Sequence, residues 1–140
     1  MPSRSIYFDP TAEEFLAART RGGEGSTGDR SAVVCRALDR YAEVVRRSTP
    51  ALSPAEWRLV VDSLNGVIHE PAQLIMAAAS GVADAIQLDG LAEKWHVDGP
   101  ALGKKLRALS FPQLVALVDV AERYWVAVSR KEDPKVPGEG

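Results

Sequence analysis

Cysteine occurs once, at Cys35, and histidine twice, at His69 and His96, in a chain of 140 residues. One thiol excludes an intrachain disulfide and a thiolate metal cluster. The two histidines lack the H-x-x-x-H or H-E-x-x-H spacing of a metal site, so no metal ligand set is expected. An excess of charge of one sign is also missing. Seventeen Lys and Arg against 19 Asp and Glu leave a net charge of −2, so no global basic field points to nucleic acid. No apolar run approaches the ~18 residues that span a bilayer. The opening "MPSRSIYFDP" has no apolar core of roughly 7–15 residues and does not read as a signal peptide. Nothing pairs a nucleophile with a base, so no catalytic residue, enzyme activity or cofactor is expected. These absences describe a soluble, cytoplasmic protein without a membrane partner.

What is present is helical patterning with uneven charge. Residues 1–48 hold eight Lys and Arg against seven Asp and Glu, whereas 49–129 hold six against nine. In "RSIYFDP", Ile6 and Phe8 alternate with Ser5 and Tyr7, the period of a β-strand. Pro10 ends it, and Asp9 or Thr11 caps a helix over about 11–19. After "RGGEGSTG" a second helix spans about 29–47. Its face of Val34, Ala37, Leu38, Tyr41 and Val45 follows i, i+3, i+4, i+7, i+11 spacing. Gly23–Gly28 spells G-x-G-x-x-G, but a helix precedes it and no sheet surrounds it, so it reads as a loop and not a dinucleotide site.

"STPALSP" marks a boundary, with Ser53, Pro54 and Glu56 spaced as a capping box. The helices that follow are Pro54 to about Leu64, "EPAQLIMAAASGVADAIQL", "LAEKWHV" with Asp89 as its cap, "PALGKKLRAL", and Phe111 to about Ser129. In the last, Phe111, Leu114, Val115, Val118, Ala121, Trp125 and Val128 form one stripe. Trp57, Trp95 and Trp125 read as core anchors, and Lys104, Lys105 and Arg107 as a solvated basic face. "KEDPKVPGEG" reads as a loose tail. The expected domains are therefore 1–48, a helical domain over 49–130, and a flexible tail over 131–140.

A lone strand leaves its backbone groups without ladder partners. The economical remedy is pairing with its copy in a second chain, giving a homodimer. Ile6 and Phe8 then face a dimer core shared with Phe15, Val34, Ala37, Leu38 and Tyr41, while Ser3, Ser5 and Tyr7 point outward. Strand, helix, turn and helix of these lengths resemble the ribbon-helix-helix superfamily of DNA-binding proteins. The residues that carry the resemblance are "IYFDPTAEEFLA" and "GDRSAVVCRALDRY", with Gly28, Ser31, Val33, Val34, Ala37, Leu38 and Tyr41 at matching positions. It covers about residues 3–47.

The resemblance implies a mainly α chain: an N-terminal ribbon-helix-helix module, with one strand paired across a dimer, followed by a C-terminal α-helical bundle. It implies a DNA-binding transcriptional regulator of repressor or antitoxin type, with its β-ribbon in the major groove. Ser3, Ser5 and Tyr7 would touch base edges. Arg4, Asp29, Arg30 and Ser31 would hold phosphates at a helix start. The C-terminal helices would bind a toxin, an effector or another protein. The alternative is a protein–protein adaptor that kept the dimer and lost DNA binding, a reading favoured by the near-neutral front and by Ser5 and Tyr7 as weak base readers.

Overall fold

The structure, a computed structural model, describes residues 7–22, 29–64 and 88–139, and its helices are α1 (Pro10–Ala17), α2 (Arg30–Ser48), α3 (Pro54–Ser63), α4 (Leu88–Trp95), α5 (Gly99–Arg107) and α6 (Phe111–Ser129). The chain divides into two compact units, Met1–Glu43 and Val44–Gly140. The division falls inside α2, and Val45 and Pro50, both buried, belong to the second unit.

The expected fold class needs correcting. Among the described residues there is no strand and no sheet, so the ribbon of a ribbon-helix-helix module is not seen and the described fold is all-α. Tyr7, Phe8 and Asp9 form no regular structure, and Tyr7 is 93% exposed. Alternation of side chains sets which way a strand would face, but it supplies no backbone partner. Here Phe8 turns to the α1–α2 pair, with the Arg30 guanidinium 5.2 Å from its ring centroid. Ser3, Arg4, Ser5 and Ile6, the Gly23–Gly28 run, and all but the final Leu88 of the helix expected over "EPAQLIMAAASGVADAIQL" lie outside the described residues.

In the first unit, local chemistry sets both helix starts. The Asp9 carboxylate accepts from the Ala12 N–H at 2.8 Å, and Pro10 stands at the first helical position, where its missing N–H costs nothing. Beyond α1 the Thr20 hydroxyl donates to the Leu16 carbonyl at 2.7 Å. The Asp29 carboxylate accepts from the Arg21 N–H at 3.2 Å and so closes the turn between the helices. Leu16 and Val33 are the buried hydrophobics among this unit's described residues.

The second unit is built around α3. Ser53 and Glu56 form the expected capping box in full: Ser53 Oγ accepts from the Glu56 N–H at 3.2 Å, and Glu56 Oε1 accepts from the Ser53 N–H at 2.9 Å. Trp57, Leu59, Val60 and Val61 are completely buried, so α3 is covered on several sides. Around it pack Ala92 of α4, Leu102 and Leu106 of α5, and Leu114, Leu117, Val118, Val120 and Ala121 of α6. The α6 stripe is buried through its middle, while its ends, Phe111 and Val128, are exposed. Trp125 is pinned by its indole N–H, which donates to the Val61 carbonyl at 2.8 Å.

Two helices of this unit end on left-handed residues that are not glycine. His96 (φ 54°) follows α4, where Val97 N–H donates to the Ala92 carbonyl at 2.8 Å and His96 N–H to Glu93 at 3.2 Å. Lys131 (φ 59°) follows α6 with the same pair of bonds, Glu132 to Ala127 and Lys131 to Val128, each at 3.0 Å. Both are Schellman endings.

Residues 131–139, polar enough to read as a loose tail, are held against the bundle. Val136 is only 3% exposed. Arg58 Nε and Nη2 donate to the two Glu139 carboxylate oxygens at 2.9 and 2.7 Å, Nη1 to the Tyr124 hydroxyl at 3.1 Å, and Nη2 to the Pro134 carbonyl at 3.3 Å. One apolar side chain and one two-pronged arginine order a segment whose composition carries no such signal.

Candidate functional site

The α1–α2 pair of the first unit carries two adjoining surface features. The first is an open, almost wholly apolar hollow of about 390 Å³, floored by Phe8, Phe15, Leu16, Val34, Ala37 and Leu38, with Ala12, Asp9 and Thr11 completing it. The second is a groove of about 230 Å³ lined by Phe15, Arg19, Val33, Arg36, Ala37 and Arg40. Phe15 and Ala37 belong to both. The hollow follows from the helix period. Val34, Ala37 and Leu38 recur at i, i+3 and i+4 on α2, and Ala12, Phe15 and Leu16 do so on α1, so two apolar stripes meet.

These stripes are larger than the unit can bury. Leu38 is 62% exposed, Phe15 and Tyr41 are each 45% exposed, and Tyr7 stands almost fully in solvent. A unit of about 40 residues rarely closes a sufficient core by itself. An apolar concavity on such a unit marks a contact surface.

Of the residues expected to form a dimer core, Phe8, Phe15, Val34, Ala37 and Leu38 are brought together in the hollow; Tyr41 is not among its lining residues, and Ile6 lies outside the described residues. Leu16 and Val33, absent from that expected core, are the residues most deeply buried beneath the pair.

The residues expected to hold phosphates are arranged differently. Arg4 lies outside the described residues, and Ser31 is exposed in the first turn of α2. The Asp29 carboxylate is taken up by the Arg21 N–H. Arg30 forms an ion pair with Glu13. The hydrogen bond from Arg30 holds the Glu13 carboxyl below the usual carboxylate range, and the same bond raises Arg30 further above its ordinary value. Arg30 is thereby tied across the two helices and supports them. Among the expected base contacts, Ser3 and Ser5 lie outside the described residues and Tyr7 is exposed in a non-regular segment.

The groove arginines are the residues that sequence reasoning passed over. Arg36 and Arg40 stand at i, i+4 on α2, a spacing that puts two like charges side by side. Arg19 joins them only through the packing of α1 on α2, which the sequence does not announce. Its Nη1 donates to the Phe15 carbonyl at 3.0 Å, and its guanidinium lies 3.5 Å from the Phe15 ring centroid. Cys35 is an exposed free thiol. Among the described residues no group of three or more His, Cys, Asp and Glu is placed to hold a metal ion, and no helix is long and apolar enough to cross a membrane. No known protein family, curated protein or solved structure matches the chain.

Proposed function

We propose that this chain acts as a homodimeric DNA-binding regulator whose N-terminal helix pair provides the self-association surface. The observation that carries the reading is the open apolar hollow on α1–α2, formed by Phe8, Phe15, Leu16, Val34, Ala37 and Leu38 on a unit with little buried core of its own. A second copy suits it because an isologous contact sets apolar against apolar. The one acidic lining residue, Asp9, is already engaged as the α1 cap. The DNA part of the reading is supported by α2, whose Arg36 and Arg40 line the groove beside the hollow with no carboxylate among its lining residues. Two such helices related by a twofold axis suit an inverted repeat.

A second reading has its own support. Arg30, at the helix start where a phosphate is expected, is paired with Glu13, which favours an adaptor that dimerises without binding DNA. The deciding experiment takes the full chain through sedimentation equilibrium and then titrates it onto duplex from upstream of its own gene, with random duplex as the control. The regulator reading expects a dimer with tighter binding to the upstream duplex. A dimer that binds neither duplex at low salt leaves the adaptor. A monomer at tens of micromolar overturns both.

A further inference from the structure

We propose that the groove between Arg19, Arg36 and Arg40 is a phosphate-binding subsite for the backbone of duplex DNA, an inference that rests on the regulator reading above. Arg19, Arg36 and Arg40 line one concavity whose lining contains no carboxylate. Asp39 and Glu43 of the same helix are not among the lining residues. Other cations of the fold are neutralised within it: Arg30 by Glu13, Arg58 by Glu139, Lys105 by Glu56 and Arg123 by Asp119. Arg19, Arg36 and Arg40 have no carboxylate partner among the described residues.

Arg36 and Arg40 lie one helical turn apart, about 6 Å along the axis. Like charges so placed repel unless an anion lies between them. Arg19 is already held, its guanidinium lying over the Phe15 ring and one of its five N–H donors bound to the Phe15 carbonyl. A guanidinium held this way loses little freedom when it takes an anion. Its planar fork matches two oxygens of a phosphate, which an ammonium does not. The Val33, Ala37 and Phe15 side chains of the floor are apolar and bring no acceptor to compete with an anion for the arginine donors. Because the groove shares Phe15 and Ala37 with the hollow, a dimer formed there carries one groove per copy beside the contact. Two separated, symmetric phosphate sites suit the two strands of a duplex better than one small anion.

The test measures binding of the full chain to the upstream duplex by fluorescence anisotropy over a salt series. The proteins are the wild type, Arg36→Gln, Arg40→Gln, Arg36→Lys and, as a control in the second unit, Arg123→Gln. Each Arg→Gln variant is expected to reduce the slope of log K against log salt by about 0.9 per groove. Arg36→Lys keeps most of the slope but binds more weakly, and Arg123→Gln changes neither. Wild-type binding with an unchanged slope in both Gln variants overturns the groove and leaves the regulator reading standing. No wild-type binding to duplex overturns both. Inorganic phosphate that displaces duplex more strongly than chloride at equal ionic strength, in the wild type but not in Arg36→Gln, marks a small-anion site and overturns DNA as the occupant. Should a Gln variant lose helical circular dichroism, Arg36→Lys decides: full affinity with that variant refutes a guanidinium–phosphate fork.

Discussion

Leu38→Ala is the sharpest probe of the association surface, because Leu38 contributes to the hollow while remaining 62% exposed in the protomer. Full burial of a leucine side chain stabilises by about 1.5–3 kcal/mol. The exposed share of Leu38 therefore represents roughly 1–2 kcal/mol of contact energy available to a partner surface. In an isologous dimer the same residue enters twice, so the variant should lose about 2–4 kcal/mol per dimer. At about 1.4 kcal/mol per decade this is between one and three decades in the dimer dissociation constant. The cost to the protomer should be small, since little of the side chain is buried there. Leu38→Asp goes further by placing a charge in the contact, and should leave a folded monomer at every accessible concentration. Sedimentation equilibrium across nanomolar to tens-of-micromolar concentrations, with circular dichroism as the fold control, measures both variants. A dimer of unchanged affinity in Leu38→Asp would refute the hollow as the contact. Concentration-independent melting of the wild type would refute pairing through this face.

Further outcomes follow from the second unit. The Glu56 carboxyl is pushed up by burial, but the Lys105 ammonium and the Ser53 N–H and hydroxyl outweigh that and hold it below its ordinary value. Its contribution is therefore present above the unfolded carboxylate pKa of about 4.3 and lost as pH falls through the lower folded value. Glu56→Gln should lower stability at neutral pH and flatten the acid limb of stability against pH in urea melts; an unchanged limb would reject the assignment. His96→Gly and Lys131→Gly relieve left-handed backbone strain of about 1 kcal/mol each, partly offset by glycine's entropy, so each should raise the melting temperature by a few degrees. A fall in either would mean that the side chain contributes more than the strain costs. Val136→Ala should cost about 1–2 kcal/mol and open 131–139 to limited proteolysis, because that side chain anchors the segment. Equal protease resistance in the variant would show that the Arg58–Glu139 pair suffices alone.

Helix starts were legible in the sequence because they are local. Asp9-Pro10 and Ser53-Pro54-x-Glu56 each carry the cap acceptor, the proline and, in the second, the reciprocal side chain within four residues, and each begins a helix. The apolar period likewise located α2 and the buried middle of α6, and it collected Phe15, Val34, Ala37 and Leu38 on one surface, since residues three and four apart share a helix face whatever the rest of the chain does. Alternation that reached Tyr7 and Phe8 misled for a complementary reason: a strand is defined by the partner it bonds to, which lies outside its own residues, and Tyr7 and Phe8 have no strand partner among the described residues. Tertiary structure alone decided the rest. It brought Arg19 of the α1 end to Arg36 and Arg40, turned Arg30 from an expected phosphate contact into the partner of Glu13, set Lys105 on the buried Glu56, and drew Glu139 across 81 positions to Arg58. Each of these is a charge that settles where an opposite charge or a stacking ring awaits it. That place depends on how helices pack, not on spacing along the chain.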